Sequence, residues 1–507
     1  MVKLNMTTRI PQNLIVLEMA NNHMGDINHG IHVINAFGKI CGKFKGFNFA
    51  FKLQYRDLDS FIHPAAKGRD DIKYVKRFSE TKLSKSDFNT LVQGFRRNGF
   101  LAMATPFDEK SVDLIEDQQL DIIKIASCSI TDWPLLERVV KTDKPIIAST
   151  AGATLEQIDR VVSFFQHRNK DFAILHCVGE YPTPNENMHI GQIELLQKRY
   201  PNVRIGFSTH EDPDNLDVVK IATAKNATIF EKHVGVRTDK YALNAYSSSP
   251  EQLEKWLTAA ESAHLQCGDS ETRLPVNPSE VSSLESLQRG VFAKRLIKVG
   301  DHITNKDVFF AFPPQPNQFK ANDWSKYANF VAIKDIDPDG GISPANTECK
   351  DTSAKIWDIA QRVSSLLKAS KITIPGGADL EISHHFGIDK FDETGLTMIT
   401  VINREYCKKL LISLPGQFHP EQYHEKKEET FHVLYGNVKM FLDGVERMLS
   451  PGDIVTIQPG VRHAFSTEAG SIIEEISSTH YVNDSFYTDD RISKNPDRKT
   501  FLTYWMI

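Results

Sequence analysis

From Leu14 to about Ala263, short apolar runs alternate with longer stretches of helical periodicity. The runs Leu14–Met19, Phe47–Gln54, Phe100–Thr105, Ile122–Ile125, Pro145–Ser149, Phe172–His176, Arg204–Ser208 and Thr228–His233 predict strands. Stretches such as Ser111–Asp117, Leu155–Gln166 and Asn215–Thr223 predict amphipathic helices after them. Eight strand–helix units in ~250 residues predict an α/β fold of the (β/α)8 TIM-barrel type rather than an open doubly wound sheet. The first strand is not followed by GxGxxG, which argues against a dinucleotide-binding domain.

The pattern changes after about Leu284. Short runs (Gly290–Lys294, Phe309–Phe312, Phe330–Ile333) sit between turns rich in Gly, Pro and Asp, and Pro313, Pro314 and Pro316 mark a stiff loop. This predicts a small β-rich module over 284–349. Residues 350–371 read as a connector with an amphipathic helix. From 372 to 507 the runs Leu396–Val401, Lys409–Leu414, Glu429–Leu434, Val438–Leu442, Asp453–Ile457 and Ser471–Ile476 alternate with Pro-Gly, Asp-Gly and Gly-Asn turns, which predicts an all-β barrel. The first 283 residues form the (β/α)8 barrel domain in this division.

Composition narrows the function classes. The chain has 507 residues, of which 40% are hydrophobic and 25% charged, so it is not of disordered, collagen-like or membrane-embedded type. A net charge of -5 gives no electrostatic case for nucleic acid or an anionic membrane surface. The N-terminal residues MVKLNMTTRI lack a signal-peptide apolar core, and no segment reaches ~20 apolar residues. The six cysteines are scattered without a CxxC pair, so a disulfide framework and a zinc knuckle are not expected. Together these predict a cytoplasmic protein.

In a barrel of this kind reactive groups belong at the C-terminal ends of the strands. Polar side chains fall there repeatedly: Glu18, Lys52 and Gln54, Thr105, Lys124 and Ser127, Ser149, His176 with Tyr181 beyond it, Ser208 and His210, and the run Glu231-Lys232-His233. A single strand lysine is usually solvated, and a single histidine usually structural. One cleft receiving two lysines, several hydroxyls, two histidines and a carboxylate suits a substrate carrying phosphate and carboxylate, together with a divalent metal.

The segments LEMANNHMGD, FKLQ, ATPFD, KIAS, PIIASTAGATLEQI, LHCVGEYPTP, IGFSTHED and FEKHV resemble, strand by strand, the sialic acid synthase family. RGVFAKRLIKVGDHITNKDVF resembles the antifreeze-like (SAF) domain that follows the barrel in that family. The resemblance implies condensation of phosphoenolpyruvate with an amino-sugar or aldose aldehyde to a nonulosonic, 2-keto-3-deoxy sugar acid with release of phosphate. It implies that Lys52, Thr105, Lys124, Ser127, Ser149 and Ser208 hold phosphoenolpyruvate, with Tyr181 beside the substrate. Glu18 and Gln54 would face the acceptor, and His210 and His233 would bind manganese or magnesium. Glu18, Lys52, Lys124, His210 and His233 are the expected catalytic set. A homodimer is implied, with the capping domain swapped over the partner's barrel. The family's glutamate after the KIxS motif is replaced by Ser129, and its Asp-His-Lys-Ala-Ser stretch after the last strand by Leu243-Asn244-Ala245-Tyr246-Ser247. The capping-domain loop that usually offers an arginine reads Pro313-Pro314-Gln315-Pro316-Asn317. These departures fall on the acceptor side.

Residues 396–479 resemble the cupin superfamily through Gly416-x5-Gln422-x-His424-x4-Glu429-x6-Gly436 and Pro451-Gly452-Asp453-x5-Pro459-Gly460-x2-His463. Gln422 stands where the first histidine is usual. His424, Glu429 and His463 leave a facial set suited to a second divalent transition metal (manganese, iron, nickel or zinc). His419 and His432 are alternative candidates, and Lys426 is a candidate acid/base group. A sugar-binding or sugar-isomerising cupin is one reading, and a metal-free binding or assembly cupin another. The barrel too has alternatives: a synthase of a shorter keto-deoxy sugar acid, or an inactive sugar sensor on a synthase scaffold.

Overall fold

The computed structural model describes residues 9–268, 272–481, 483–495, 498–503 and 505. The leader reading rests mainly on residues 1–8, which lie outside the described residues. Two compact units divide the chain, Met1–Leu274 and Pro275–Ile507. Among the described residues no helix is long and apolar enough to cross a membrane.

Unit one is a closed parallel barrel of β1 (Leu14–Glu18), β2 (Asn48–Tyr55), β3 (Leu101–Pro106), β4 (Ile122–Ile125), β5 (Ile146–Ser149), β6 (Phe172–Cys177), β7 (Arg204–Thr209) and β8 (Ile229–His233). The eight predicted strands are present, each within a residue of its expected ends. β1 closes the ring by pairing with both β2 and β8, with Glu18 level with Lys52 and with His233.

Strand alternation sorts every strand into two faces. Ile15, Leu17, Phe51, Leu53, Ile123 and Ile146 point outward into the apolar layer under the helices. Leu14, Val16, Ala50, Met103, Ile122, Ile147, Leu175 and Ile229 point inward and plug the N-terminal half of the barrel. Two residues further along the same inward faces stand Glu18, Lys52, Thr105, Lys124, Ser149, Cys177 and Glu231, with Gln54 and His233 one step higher. The interior therefore changes from apolar to ionisable along the strand direction. The outer helices start on side-chain caps: Thr154 and Gln157 form a reciprocal capping box on Leu155–His167, and Ser249 and Gln252 do the same on Pro250–Cys267.

In unit two, Gly290–Ala293 pairs with Val308–Ala311, and His302–Ile303, Ala328–Ala332 and Thr347–Asp351 form a three-stranded sheet. The helix Ser353–Ser370 buries Ile356, Ile359, Val363 and Leu367 against Leu380, Ile412 and Ile472 of the following β domain. That domain has two antiparallel sheets. One runs in the order Ile454–Ile457, Glu429–Tyr435, Ser471–Ser478, Tyr406–Ser413, Gly395–Asn403, Leu380–His384, Lys499–Leu502. The other runs Val445–Leu449, Val438–Leu442, His463–Ser466, Phe418–Tyr423, Phe486–Tyr487. Phe431, Val433, Met440 and Phe465 fill the space between them. Gly436 turns the chain at φ +73°, and a Cβ there would stand 2.0 Å from the Gly470 carbonyl oxygen, so only glycine fits.

Candidate functional sites

Four charged side chains meet inside the C-terminal half of the barrel, each no more than 5% exposed: Glu18, Lys52, Lys124 and Glu231. Lys52 is ion-paired with Glu18 Oε2, lies 3.1 Å from Glu231 Oε2, and donates to Thr105 Oγ1 at 3.2 Å. Lys124 donates to Ser149 Oγ at 2.6 Å and lies 3.6 Å from Glu231 Oε1, to which Ser208 Oγ donates at 3.1 Å. Glu231 thus bridges the two ammonium groups. Burial works against its charge, but Lys124 and Lys52 outweigh burial and hold its pKa well below the usual carboxylate range. Glu18 is raised, because burial and the charge of Glu231 outweigh Lys52. The lysines are also unequal. Burial opposes the charge of Lys52, yet Glu18 and Glu231 hold its pKa above normal. For Lys124 burial prevails and its pKa is lowered. Lys52 is the fixed cation and Lys124 the more readily titrated one.

At the barrel mouth the rings of His210 and His233 lie 5.3 Å apart. His210 Nδ1 donates to the Val178 carbonyl at 2.9 Å, which leaves Nε2 with a free lone pair. Burial lowers the pKa of His210 to about 4 and that of His233 well below its usual value, so both are neutral near pH 7. His233 Nδ1 is buried without a hydrogen-bond partner. Neutral imidazoles with an orphaned nitrogen fit a divalent metal. Tyr181, 55% exposed, packs on His210 at 4.3 Å, and Tyr246 lies 5.0 Å from His233 and 5.2 Å from Tyr181. The loop carrying Tyr246 is tied down by Asn22, whose Nδ2 donates to Ser247 Oγ at 3.1 Å. Ser127 Oγ accepts from the Ala151 amide at 3.1 Å, joining the loops after β4 and β5.

Other sequence candidates are structural. His176 points outward, contacts the Met188 carbonyl at 2.9 Å and stacks on Phe207. Lys232 also points outward and is fully buried against Glu211 at 2.8 Å.

Arg56 was not foreseen. It follows Lys52 and Gln54 at two-residue spacing, and its Nη1 donates to Gln54 Oε1 at 3.1 Å. Its guanidinium is clamped between Phe107 (3.5 Å) and Phe78 (4.0 Å). Nε is buried without a partner, and no carboxylate among the described residues pairs with it. It lines a cleft of about 290 Å³ with Asn21, His23 and Gln54.

In the β domain, His424, Glu429 and His463 come together with one donor atom each within 4.8 Å of the others. His424 Nε2 lies 3.2 Å from Glu429 Oε1, and His463 Nε2 lies 3.4 Å from Glu429 Oε2. Both rings are oriented from behind: His424 Nδ1 donates to the Asp484 carbonyl, and His463 Nδ1 to that of Val461 at 3.2 Å. His424 Nε2 and Glu429 Oε2 are buried without hydrogen-bond partners, as a metal site requires. The Gln422 amide lies 3.3 Å from His463 Nε2, within reach of the same centre. Burial opposes ionisation of Glu429, but His424 and Lys427 keep its pKa well below normal.

Two expectations are corrected. Lys426 is exposed, with its ammonium 5.7 Å from the Tyr481 ring, and it is the buried Lys427 that binds Glu429, and Glu475 at 2.9 Å. His432 is three residues from Glu429 on one strand, so it faces the other side, where it pairs with Glu474 at 3.3 Å. His419 does lie in the cavity, stacked on Phe465 at 4.7 Å.

The profile of the NeuB family matches residues 46–272, and that of the cupin domain matches residues 410–473. A crystal structure assigned as spore coat polysaccharide biosynthesis protein E of Chromobacterium violaceum is 53% identical, covers 66% of this chain and 99% of its own, and superposes with a TM-score of 0.64. An uncharacterized protein of Methanocaldococcus jannaschii is 30% identical over 301 residues, 59% of this chain and 84% of that protein. N-acetylneuraminate-9-phosphate synthase of Mus musculus is 23% identical over 346 residues, 67% of this chain and 94% of that enzyme. With its ordered barrel site and this coverage, the chain belongs to the NeuB family and carries a cupin domain near its C-terminus.

Proposed function

We propose that the barrel condenses phosphoenolpyruvate with a sugar aldehyde, giving a 2-keto-3-deoxy sugar acid and inorganic phosphate. The observation that carries this reading is the pair of buried lysines, Lys52 and Lys124, set among hydroxyls below two neutral histidines. Lys52 and Lys124 neutralise the phosphate and carboxylate, exchanging their contacts with Glu231 for the substrate's oxygens. Thr105, Ser127, Ser149 and Ser208 supply further hydrogen bonds. The nucleophilic C3 of the enol phosphate forms the new bond to the aldehyde carbon. C2 then takes a water oxygen, and phosphate leaves with its bridging oxygen. Glu18, at the level of His233, is placed to hand a proton to the aldehyde oxygen, and the proton lost by the incoming water leaves with the phosphate. His210 and His233 would hold manganese or magnesium, which supplies Lewis-acid polarisation of the aldehyde when bound. Tyr181 and Tyr246 wall the acceptor side, and Gln54 with Arg56 contacts its far end.

The acceptor is an aldose chosen by Arg56, Tyr246 and Gln54. A cytoplasmic homodimer in which the SAF module covers the partner's barrel completes the reading. Incubation with phosphoenolpyruvate, manganese and a panel of aldoses should release phosphate, and Lys52→Met or His210→Ala should abolish release. Full activity in either variant would overturn the assignment. Saturable sugar binding without turnover would favour the sensor reading instead.

A further inference from the structure

The cupin cavity contains a cation that its metal donors do not explain. Lys409 lies on the strand Tyr406–Ser413, where alternation places it on the cavity face with Leu411 while Leu410 and Ile412 enter the apolar core behind. It is only 4% exposed, and no ion pair or hydrogen bond to its ammonium is found among the described residues. The neighbouring carboxylates are already engaged. Lys427 bridges Glu429 and Glu475, Ser477 Oγ also donates to Glu475 at 3.1 Å, and Lys499 holds Glu381 at 2.6 Å. Arg498 lines the same cavity with its guanidinium against the Tyr487 ring at 5.1 Å and has no carboxylate within ion-pair reach among the described residues. Four cations thus face three carboxylates, and a divalent metal would enlarge the excess. Burying an ammonium without a partner is strongly unfavourable. A cavity that keeps one beside an oriented set of metal donors is built for an anion that arrives with its own charge.

We propose that this cavity binds an anionic sugar, with the carboxylate or phosphate held by Lys409 and Arg498 and the adjacent oxygens turned toward His424, Glu429 and His463. The site lies wholly within the second unit and does not depend on the barrel reading. An anionic group binds the fixed lysine and guanidinium whether or not metal is loaded, whereas the hydroxyl end gains affinity only when the donors hold one.

Isothermal titration calorimetry of the full chain tests this with D-glucuronate, D-glucose 6-phosphate and neutral D-glucose, with and without manganese. Binding of either anion, with glucose at least tenfold weaker, is expected. Glucuronate alone would identify a carboxylate ligand, and glucose 6-phosphate alone a phosphate. Lys409→Met should weaken the bound anion at least tenfold, while Lys409→Arg retains it within a few-fold. Lys124→Met, in the barrel, should leave it unchanged. Because the methionine variant removes an unpaired buried charge, its melting temperature should be equal to or above wild type. Should it unfold instead, Arg498→Met, at a less buried position, carries the test with the same tenfold loss. Binding of neither anion, undiminished binding in these variants, loss in Lys124→Met, or glucose binding as tightly as glucuronate would overturn the proposal.

Discussion

Replacing Glu231 by glutamine tests the charge logic of the barrel. Glu231 Oε2 and Oε1 lie 3.1 and 3.6 Å from Lys52 and Lys124. At an effective dielectric of 20 each attraction is about 5 kcal/mol. Desolvation of the three groups offsets most of that, and removal of one member of such a buried arrangement typically costs ~3–5 kcal/mol. The loss is not shared equally. Lys52 keeps Glu18, whereas Lys124 is left with Ser149 and the Ile125 carbonyl, neither of which carries charge. Differential scanning calorimetry should show the barrel transition falling by about 6–20 °C, at ~2–4 °C per kcal/mol for a unit of this size. Adding Lys124→Met should restore most of the loss, because it removes the ammonium that has become unpaired. A barrel transition within 2 °C of wild type would refute the bridging role. Failure of Lys124→Met to rescue would show that the loss came from packing instead.

Other outcomes follow from the same geometry. Arg56→Met should raise the KM for the sugar at least tenfold while leaving that for phosphoenolpyruvate within twofold, since Arg56 lies beyond Gln54 and away from Lys52; steady-state kinetics with each substrate varied separates the two. Zinc or manganese at ~100 times its Kd should stabilise the second unit by about 3 kcal/mol, a shift that chelator removes and His424→Ala abolishes in calorimetry. His23 and His385 are lowered by burial to about 4. Both are neutral in folded and unfolded chain above pH 6.5, so stability is complete there. As pH falls from about 6.5 to about 4 the unfolded chain takes up protons first, and each residue should remove up to about 3 kcal/mol, read from denaturant melts across that range.

The barrel was legible because its strands are apolar on both faces and end in ionisable residues, a signature that survives without any knowledge of pairing. The position of Glu231 was not. In Glu231-Lys232-His233 the three types appear together, and only the closure of β8 on β1, with His233 level with Glu18, decides that Glu231 joins the lysines and Lys232 turns out to Glu211. The cupin shows the same dependence more sharply. Phe418–Tyr423 is polar and contains Pro420, so it carries no strand pattern, and it is accommodated through an irregular register opposite His463–Ser466. Whether Lys426 or Lys427 enters the site is settled by Asp484, whose carboxylate accepts from the amides of Glu425, Lys426 and Lys427 and so fixes the loop's rotation. That contact spans 57 residues. Metal donors are recognisable in sequence because their spacing is local to two motifs, whereas the cations around them come from segments separated by nearly ninety positions, Lys409 and Arg498 among them. The chemistry that orients a ligand's charge is therefore the part of this site that only folding assembles, and it is the part on which substrate choice depends.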